Sequence, residues 1–209
     1  MAEHFQVSIA QIQLTLTSYI LAFSIATLFV GAISDAVGRK PVIMVSLIGF
    51  FISSIALANA TTYSSLIIFR ALQGIFGSAG SVVGQAIIRD YAKGTDARKL
   101  MSNVMMIFGV APALAPIIGG YLQHHFDWEA NFYFMAAFSG ALFISYLFLM
   151  VETHKASDRL ELRFGAVTSV YIMVLSNKTF LLRTLAIAFI FAGVGVYISS
   201  ASGFVKQVL

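Results

Sequence analysis

Long apolar stretches dominate this sequence and limit what it can fold into. A helix needs about 20 mostly apolar residues to cross the hydrocarbon core of a bilayer. Membrane β-strands would instead show segments of about ten residues with alternating polarity, which this sequence lacks. We therefore predict an all-α membrane protein. Its six transmembrane helices are predicted over residues 14–34, 42–60, 65–88, 100–123, 131–151 and 184–204.

The composition excludes the main soluble alternatives. Hydrophobic residues make up 59% of the chain and charged residues only 11%, whereas a soluble domain has about 25% charged residues. So few charges exclude a soluble globular domain, a disordered chain and a nucleic-acid binder, although the net charge is +4. The chain has no cysteine, which excludes a disulfide framework, a thiol nucleophile and a cysteine-ligated metal site.

The basic residues between the predicted spans are distributed unevenly. Lysine and arginine concentrate in three segments: 35–41, 89–99 and 152–183. The alternate segments have none: 1–13, 58–64 and 124–130. Because positive residues favour the cytoplasmic side of a membrane, we predict that the three basic segments are cytoplasmic and that both chain termini lie on the outer side.

An arginine lies inside the third predicted span. At the centre of a membrane helix an arginine costs about 2.5–3.5 kcal/mol, so it rarely faces lipid. Gln73 and Gly74 follow Arg70 at three and four residues and share its helix face. We predict that Arg70, Gln73 and Gly74 line a cavity or lock helices together. The alternative is that Arg70 only snorkels to the outer interface.

A second polar group follows the first span and comprises Gly31, Asp35, Gly38, Arg39 and Lys40. Asp35 lies at the membrane edge, where its desolvated carboxylate needs a partner. Gly38 allows a sharp reversal of the chain. A tight turn with ordinary cytoplasmic anchors would explain Arg39 and Lys40, but not Asp35 or the glycines.

The fourth span contains two prolines, which remove helix hydrogen bonds and predict a bent helix. The candidate residues there are Gly109, Pro112, Pro116, Gly119 and Gly120. Close helix packing alone would explain most glycines of the spans. A metal site at His124, His125, Asp127 and Glu129 is conceivable, but the favoured interpretation is a solvated polar loop, so no metal site is predicted.

These motifs together resemble the major facilitator superfamily. The run from Gly31 to Lys40 resembles its motif A, Arg70-Ala-Leu-Gln73-Gly74 its motif B, and 109–120 its motif C, which is characteristic of antiporters. The sequences 88–90 and 109–120 further resemble the Bcr/CflA branch of drug/proton antiporters. The resemblance implies that motif A gates the cytoplasmic side, that the motif B arginine takes part in proton coupling, and that motif C shapes the interface between the two halves.

The resemblance also implies a domain organisation. Members of the superfamily have twelve helices, and the six spans correspond to family helices 2 to 7, so we expect a partial major facilitator fold. Residues 1–151 would form the N-terminal bundle with five spans, and 184–209 would hold the first span of the second half. Between them, 152–183 would be a cytoplasmic linker. Its apolar and polar residues at 160–175 predict an interfacial helix, with a plain linker as the alternative.

By this resemblance the parent protein is a multidrug efflux transporter of the bacterial inner membrane that exchanges drugs for protons. Its expected partners are a small amphiphilic drug, protons, the lipid bilayer and the remainder of the transporter, with no cofactor. No enzyme activity is expected, because the spans lack a catalytic cluster. The alternatives are an exporter of metabolites such as sugars or purines, and a non-transporting membrane fragment or interaction protein.

Overall fold

The computed structural model describes residues 1–92, 94–154, 157, 159 and 164–208, and over these residues it contains helices and no strand. The predicted all-α fold class is confirmed. The helices are α1 (Ile9–Val37), α2 (Arg39–Ala58), α3 (Tyr63–Tyr91), α4 (Gly94–Phe126), α5 (Glu129–Leu149), α6 (Phe164–Ser176) and α7 (Lys178–Val208).

Helices α1 to α5 are each long and apolar enough to cross a membrane, and each encloses or closely matches one predicted span. The sixth predicted span, 184–204, lies within α7, and its membrane crossing stays a prediction. The predicted outer loop at 124–130 is shorter than expected. Helix α4 continues to Phe126 and α5 begins at Glu129, so only two residues connect them. Asp127 makes the reversal with a φ of 68°.

Two of the long helices have a hydroxyl residue as their N-cap. The hydroxyl of Ser8 accepts a hydrogen bond from the backbone N–H of Gln11, and the Gln11 side chain accepts one from the backbone N–H of Ser8. Thr62 and Ser65 form the same reciprocal arrangement at the start of α3. These capping boxes satisfy N–H groups that have no partner inside the helix, and so fix where α1 and α3 begin.

Residues 1–162 form one compact unit in which α3 packs against both α1 and α2, and α2 also packs against α5. Hydroxyl groups tie these pairs together. Ser18 on α1 donates to the carbonyl of Ile67 on α3 over 2.9 Å, and Ser139 on α5 donates to the carbonyl of Leu47 on α2 over 2.8 Å.

The apolar core of this unit is divided between the two ends of the bundle. One cluster joins the end of α1, the start of α2 and the second half of α3: Val30, Val42, Ile43, Ala79 and Val83. The other joins the end of α2 and the starts of α3 and α5: Leu57, Ala58, Ala60, Leu66 and Phe132. Each predicted polar group lies beside one of these clusters.

Helices α6 and α7 belong to a second unit, 163–209, in which they contact each other. Helix α6 covers most of the predicted interfacial helix at 160–175, whose first four residues lie outside the described residues. Its location at the membrane surface stays a prediction, as does the division of the chain at 151/152 and 183/184.

Candidate functional site

The turn between α1 and α2 brings together ionisable side chains from four parts of the chain. We call this group the charged cluster, and its members are Asp35, Arg39, Lys40, Asp90, Glu152 and His154. They come from the end of α1, the start of α2, the end of α3 and the segment that follows α5.

Arg39 is the centre of the charged cluster. It is buried, with 6% of its surface exposed, and it forms an ion pair with Asp35. Its Nε donates to Asp90 Oδ2 over 3.0 Å, and its Nη1 donates to the Ser34 hydroxyl over 2.6 Å. A buried guanidinium has to be compensated, and here two carboxylates and a hydroxyl surround it. The partner that Asp35 needs is therefore a cation four residues later, on the other side of the turn at Gly38.

Glu152 binds the beginning of α2. Its Oε1 accepts from the backbone N–H of Arg39 over 3.0 Å, and its Oε2 accepts from that of Lys40 over 3.1 Å. Gly38, the N-cap residue of α2, has no side chain to provide this cap. A carboxylate at a helix N-terminus also interacts favourably with the helix dipole. Glu152 thus performs the capping role from 113 residues away in sequence.

The environment of Glu152 affects its titration in opposing ways. Partial burial alone would raise the pKa of its carboxyl group. The backbone N–H donors of His154, Arg39 and Lys40 and the nearby Arg159 charge outweigh burial, so the pKa of Glu152 lies below its ordinary value. The carboxylate is therefore ionised at neutral pH.

Lys40 contacts the C-terminal end of α5, whereas Glu152 contacts the N-terminal end of α2. Its Nζ donates to the carbonyl of Met150 over 2.6 Å and to that of Leu147 over 3.2 Å. These carbonyls lie at the C-terminal end of α5, where a positive charge is favourable. Lys40 and Glu152 therefore form two reciprocal helix caps that join α2 to the end of α5.

Gly38 has the conformation that the sharp turn requires. Its φ is +114°, in the left-handed region that residues with a side chain rarely adopt. A Cβ atom at this position would lie 2.6 Å from Glu152 Oε2 and 2.9 Å from Arg159 Nη2. Gly31 is the other glycine of this motif, and a Cβ atom there would be in ordinary contact with Val82 on α3.

The second predicted group lies in the first half of α3, near the other end of the bundle. Arg70 Nη1 donates to Gln73 Oε1 over 2.9 Å, and Gln73 Nε2 donates to the Ser54 hydroxyl on α2 over 2.8 Å. Gln73 is fully buried. Gly74 lies against the backbone of Tyr19, so a side chain there would separate α1 from α3. The structure thus brings Arg70, Gln73 and Gly74 together at the contact of three helices.

The groups that contact Arg70 carry no negative charge. Its guanidinium carbon lies 4.6 Å from the centre of the Phe132 ring, within the range of a cation–π interaction. Its Nε is buried and makes no hydrogen bond. Among the described residues, the ion pairs within 4 Å are those of Arg39, and no carboxylate reaches Arg70. A fixed positive charge without a counter-charge is able to attract an anionic group.

The third predicted group lies on α4. All five residues fall inside a helix that continues through both prolines, and no residue of α4 is buried. Gly119 faces Asn131, since a Cβ atom at this glycine would lie 3.3 Å from Asn131 Oδ1, whereas Gly109 and Gly120 face open space. Apart from the contact of Gly119 with α5, the residues of this group are exposed, and Gly109 and Gly120 have no described neighbour.

A largely apolar groove lies apart from the three groups. It has a volume of about 630 Å³ and lies between α1 and α2, with α3 at its floor. Ile25, Phe29, Val45 and Phe76 are among its lining residues, and none of the predicted site residues lines it. It offers mainly apolar contacts, with Ser46 and Ser78 as its polar lining residues.

Sequence reasoning missed the long-range members of both groups. Asp90 entered only through the resemblance at 88–90, and no sequence signal distinguished Glu152 or Phe132. The charge pattern does place Asp90 and Glu152 on the same predicted side of the membrane as Arg39. Nothing in the sequence pairs Phe132 with Arg70, since the two residues belong to spans that are far apart in the chain.

Comparison with known proteins identifies a family model and several transporters that are similar to this chain. The family model of the Major Facilitator Superfamily matches residues 1–209. The chain is 31% identical over 201 residues to a bicyclomycin resistance protein homolog of Haemophilus influenzae, covering 96% of this chain and 50% of that protein. It is 32% identical over 153 residues to multidrug resistance protein D of Escherichia coli, covering 73% and 39% of the two chains.

A solved structure shares the fold. The crystal structure of the human organic anion transporter MFSD10 (TETRAN) matches with a TM-score of 0.59 and 25% identity, over 74% of this chain and 36% of that one. The chain spans about half the length or less of these curated relatives. Since the family model matches its whole length and its five apolar helices fit a multi-pass membrane protein, the chain belongs to the major facilitator superfamily.

Proposed function

We propose that the transporter containing this chain exports small amphiphilic drugs across a bacterial inner membrane in exchange for protons. Alternating access around a site at the middle of the membrane is the mechanism expected for such a protein. The observation that carries this proposal is Arg70, a charge at the contact of three membrane helices that no carboxylate of the described residues reaches. The names of the relatives from Haemophilus influenzae and Escherichia coli support drugs as the substrate class.

In this proposal the charged cluster closes the cytoplasmic end of the transporter. Its ion pairs and reciprocal caps join the ends of α1, α2, α3 and α5, so they hold that end of the bundle as one body. The exposed glycine- and proline-containing face of α4 would contact the second half of the transporter. These roles agree with those that motifs A and C imply.

A drug-susceptibility assay tests the proposal. The complete reading frame around residues 1–209 is expressed in a bacterial strain that lacks its own drug exporters. We expect raised inhibitory concentrations for amphiphilic drugs and drug-dependent proton release in inverted vesicles. The strain without the transporter and an Arg70→Ala variant are the controls. Unchanged susceptibility over a broad drug panel would refute the proposed substrate class.

The orientation of the chain is tested separately, because the chain has no cysteine. A single cysteine is introduced by Ser64→Cys in one variant and by Thr95→Cys in another. If the basic segments are cytoplasmic, a membrane-impermeant thiol reagent labels the first variant in intact cells and not the second. The reverse pattern would invert the proposed topology.

An organic anion is a second candidate substrate. Arg70 favours it, because an uncompensated guanidinium attracts a carboxylate or sulfonate, and the solved relative MFSD10 is described as an organic anion transporter. Export is compared for pairs of compounds that differ only in carrying an acid or its neutral amide. Preferential, Arg70-dependent export of the acids would select this candidate over neutral amphiphilic drugs.

A further inference from the structure

The aromatic residues next to Arg70 suggest a role that none of the three motifs contains. We propose that Phe132 is the positioning residue for Arg70: the face of its ring holds the guanidinium in place, and Trp128 in turn holds the ring. This inference deepens the proposed function, in which Arg70 is the central charge of the site. Its first experiment, however, needs no transport.

The first argument is the set of contacts that Arg70 makes. The guanidinium carbon lies 4.6 Å from the centre of the Phe132 ring, where the negative face of the ring attracts a cation. Among the described residues, its hydrogen bond goes to the neutral side chain of Gln73, the Tyr19 hydroxyl lies close enough to interact with its charge, and the buried Nε donates no hydrogen bond. Gln73 fixes one end of the guanidinium only. The ring is therefore the group that sets the orientation of its plane.

The second argument is that the Phe132 ring is itself immobilised. Only 2% of its surface is exposed, and it belongs to the apolar cluster that contains Leu57 and Leu66. The ring of Trp128 meets it edge-on, with 5.9 Å between centroids and an angle of 81°. An edge-to-face pair of this geometry is favourable and restricts rotation of both rings. A ring that is packed on several sides can define the position of a flexible arginine.

The third argument concerns what lies beyond Trp128. Its indole contacts the rings of Phe5 at 5.5 Å and His4 at 5.7 Å. The segment 1–7 is folded into a turn by backbone hydrogen bonds from Phe5 to Met1 and from Val7 to Ala2. A continuous aromatic series therefore connects segment 1–7 and the α4–α5 turn to Arg70. Displacement of either would move the ring beneath the guanidinium.

The test uses the 209-residue chain in detergent micelles, with ¹⁵N-labelled arginine. The Nε–H resonance of Arg70 is assigned from its loss in Arg70→Lys. A proton above an aromatic ring is shifted upfield, so we expect an upfield Arg70 resonance that returns to the ordinary arginine range in Phe132→Leu. Phe134→Leu is the matched control, because Phe134 lies on the same helix with 46% of its surface exposed. An unshifted Arg70 resonance in the unsubstituted chain would overturn the proposal.

A second series keeps the shape of the ring and so remains informative if Phe132→Leu fails to fold. Mono-, di- and trifluorinated phenylalanine at position 132 weaken the negative face of the ring step by step. We expect a graded change of the Arg70 resonance with the number of fluorine atoms. Fluorescence of Trp128, the only tryptophan of the chain, verifies that the cluster is intact. The same resonance in all fluorinated forms would refute the electrostatic role of the ring.

The final experiment separates positioning from simple packing. In the complete transporter, the same fluorinated series should shift the pH midpoint of drug export, because a less firmly held Arg70 binds its charged partner differently. A merely structural ring would leave the pH profile unchanged, and that outcome would overturn the positioning role even with the contact present. If the unsubstituted transporter exports no drug, the proposed function fails while the resonance experiments still decide the contact.

Discussion

Two arginines, one toward each end of the helix bundle, are accommodated in opposite ways. Arg39 pairs with Asp35 and Asp90, so its charge is compensated locally. Arg70 has a neutral amide and an aromatic ring as its partners, and its Nε has none. The first site is electrostatically complete within this chain. The second retains a net positive charge inside a membrane-spanning helix.

This difference separates a structural site from a binding site. Removing one member of a compensated group leaves other charges buried and unpaired, so the main consequence is loss of stability. Removing Arg70 leaves no stranded counter-charge, although the buried Gln73 loses its hydrogen-bond donor. The main loss is the attraction for an anionic group from a ligand or from the rest of the transporter. Stability measurements should therefore respond more strongly to Arg39, and transport measurements more strongly to Arg70.

The largest expected effect follows substitution of Arg70 in the complete transporter. Arg70→Ala should lower drug export at least about tenfold, since a hydrogen bond to a charged group is worth about 1.5–3 kcal/mol and each 1.4 kcal/mol is a factor of about ten. Arg70→Lys should restore part of it, because an ammonium is a point charge without the planar, multidentate guanidinium. Export is measured as drug efflux from loaded cells at matched expression.

The lysine variant also decides between the two interpretations of Arg70. If the side chain only reached the outer interface, lysine would replace it without loss of export. Full activity of Arg70→Lys would therefore contradict the binding role and remove the contrast with Arg39.

The next largest effect is expected on stability, at Arg39. Arg39→Met should lower the free energy of unfolding in detergent by about 2–3 kcal/mol. This is less than the roughly 3–5 kcal/mol of a fully buried ion pair, because both carboxylates reach water. Arg89→Met is the matched control: Arg89 is an exposed arginine near the end of α3, and its loss should change stability by less than about 1 kcal/mol. Equal effects of the two substitutions would show that burial of Arg39 has no energetic consequence.

The charged cluster also illustrates how far the sequence alone could lead. The position of Asp35 at the membrane edge predicted that it needs a partner, and that partner is Arg39, four residues later across the turn at Gly38. The contacts to Asp90 and Glu152 join residues 51 and 113 positions apart. The charge pattern limits these residues to one side of the membrane, but several basic residues there were equally possible partners. Which of them pair depends on how α2 packs between α3 and α5, and that is a property of the tertiary structure.

The Arg70 group shows the same limit more clearly. The helical spacing predicted that Arg70, Gln73 and Gly74 share a face, and the structure places them together. The first five predicted spans also agree with the helices, because length and hydropathy are local properties. Phe132 was not predictable, since the chain has 19 phenylalanines and no local pattern distinguishes this one. Only the tertiary structure, in which side chains of α3 and α5 meet where both helices pack against α2, shows which ring lies beneath the arginine.

A smaller effect is expected at Gly38, which lies within the charged cluster. Gly38→Ala should cost about 1–2 kcal/mol of unfolding free energy, because a φ of +114° strains any residue with a side chain and the added methyl meets Glu152. Gly80→Ala is the control, since Gly80 is helical and faces open space, and this change should be neutral or stabilising. In the Glu152→Ala background part of the cost should disappear. An equally large cost there would assign the whole effect to backbone strain.

The smallest effect is expected from pH, and it tests whether the Glu152 cap makes the charged cluster sensitive to acid. Because the pKa of Glu152 is lowered from its ordinary value of 4.5 in the folded protein, its stabilisation is fully present above that value. It is lost as the pH falls below 4.5 and through the lowered folded pKa.

The unsubstituted chain should therefore lose more thermal stability between about pH 7 and about pH 3.5 than Glu152→Gln does. Glu3→Gln is the control, because Glu3 itself is exposed in the segment before α1. The two variants are compared by thermal unfolding in detergent, with Trp128 fluorescence as the signal. Identical acid dependence of the unsubstituted chain and Glu152→Gln would show that the contacts to Arg39 and Lys40 do not depend on the charge of the cap. The contrast between a charge-compensated Arg39 and an uncompensated Arg70 would then rest on Asp35 and Asp90 alone.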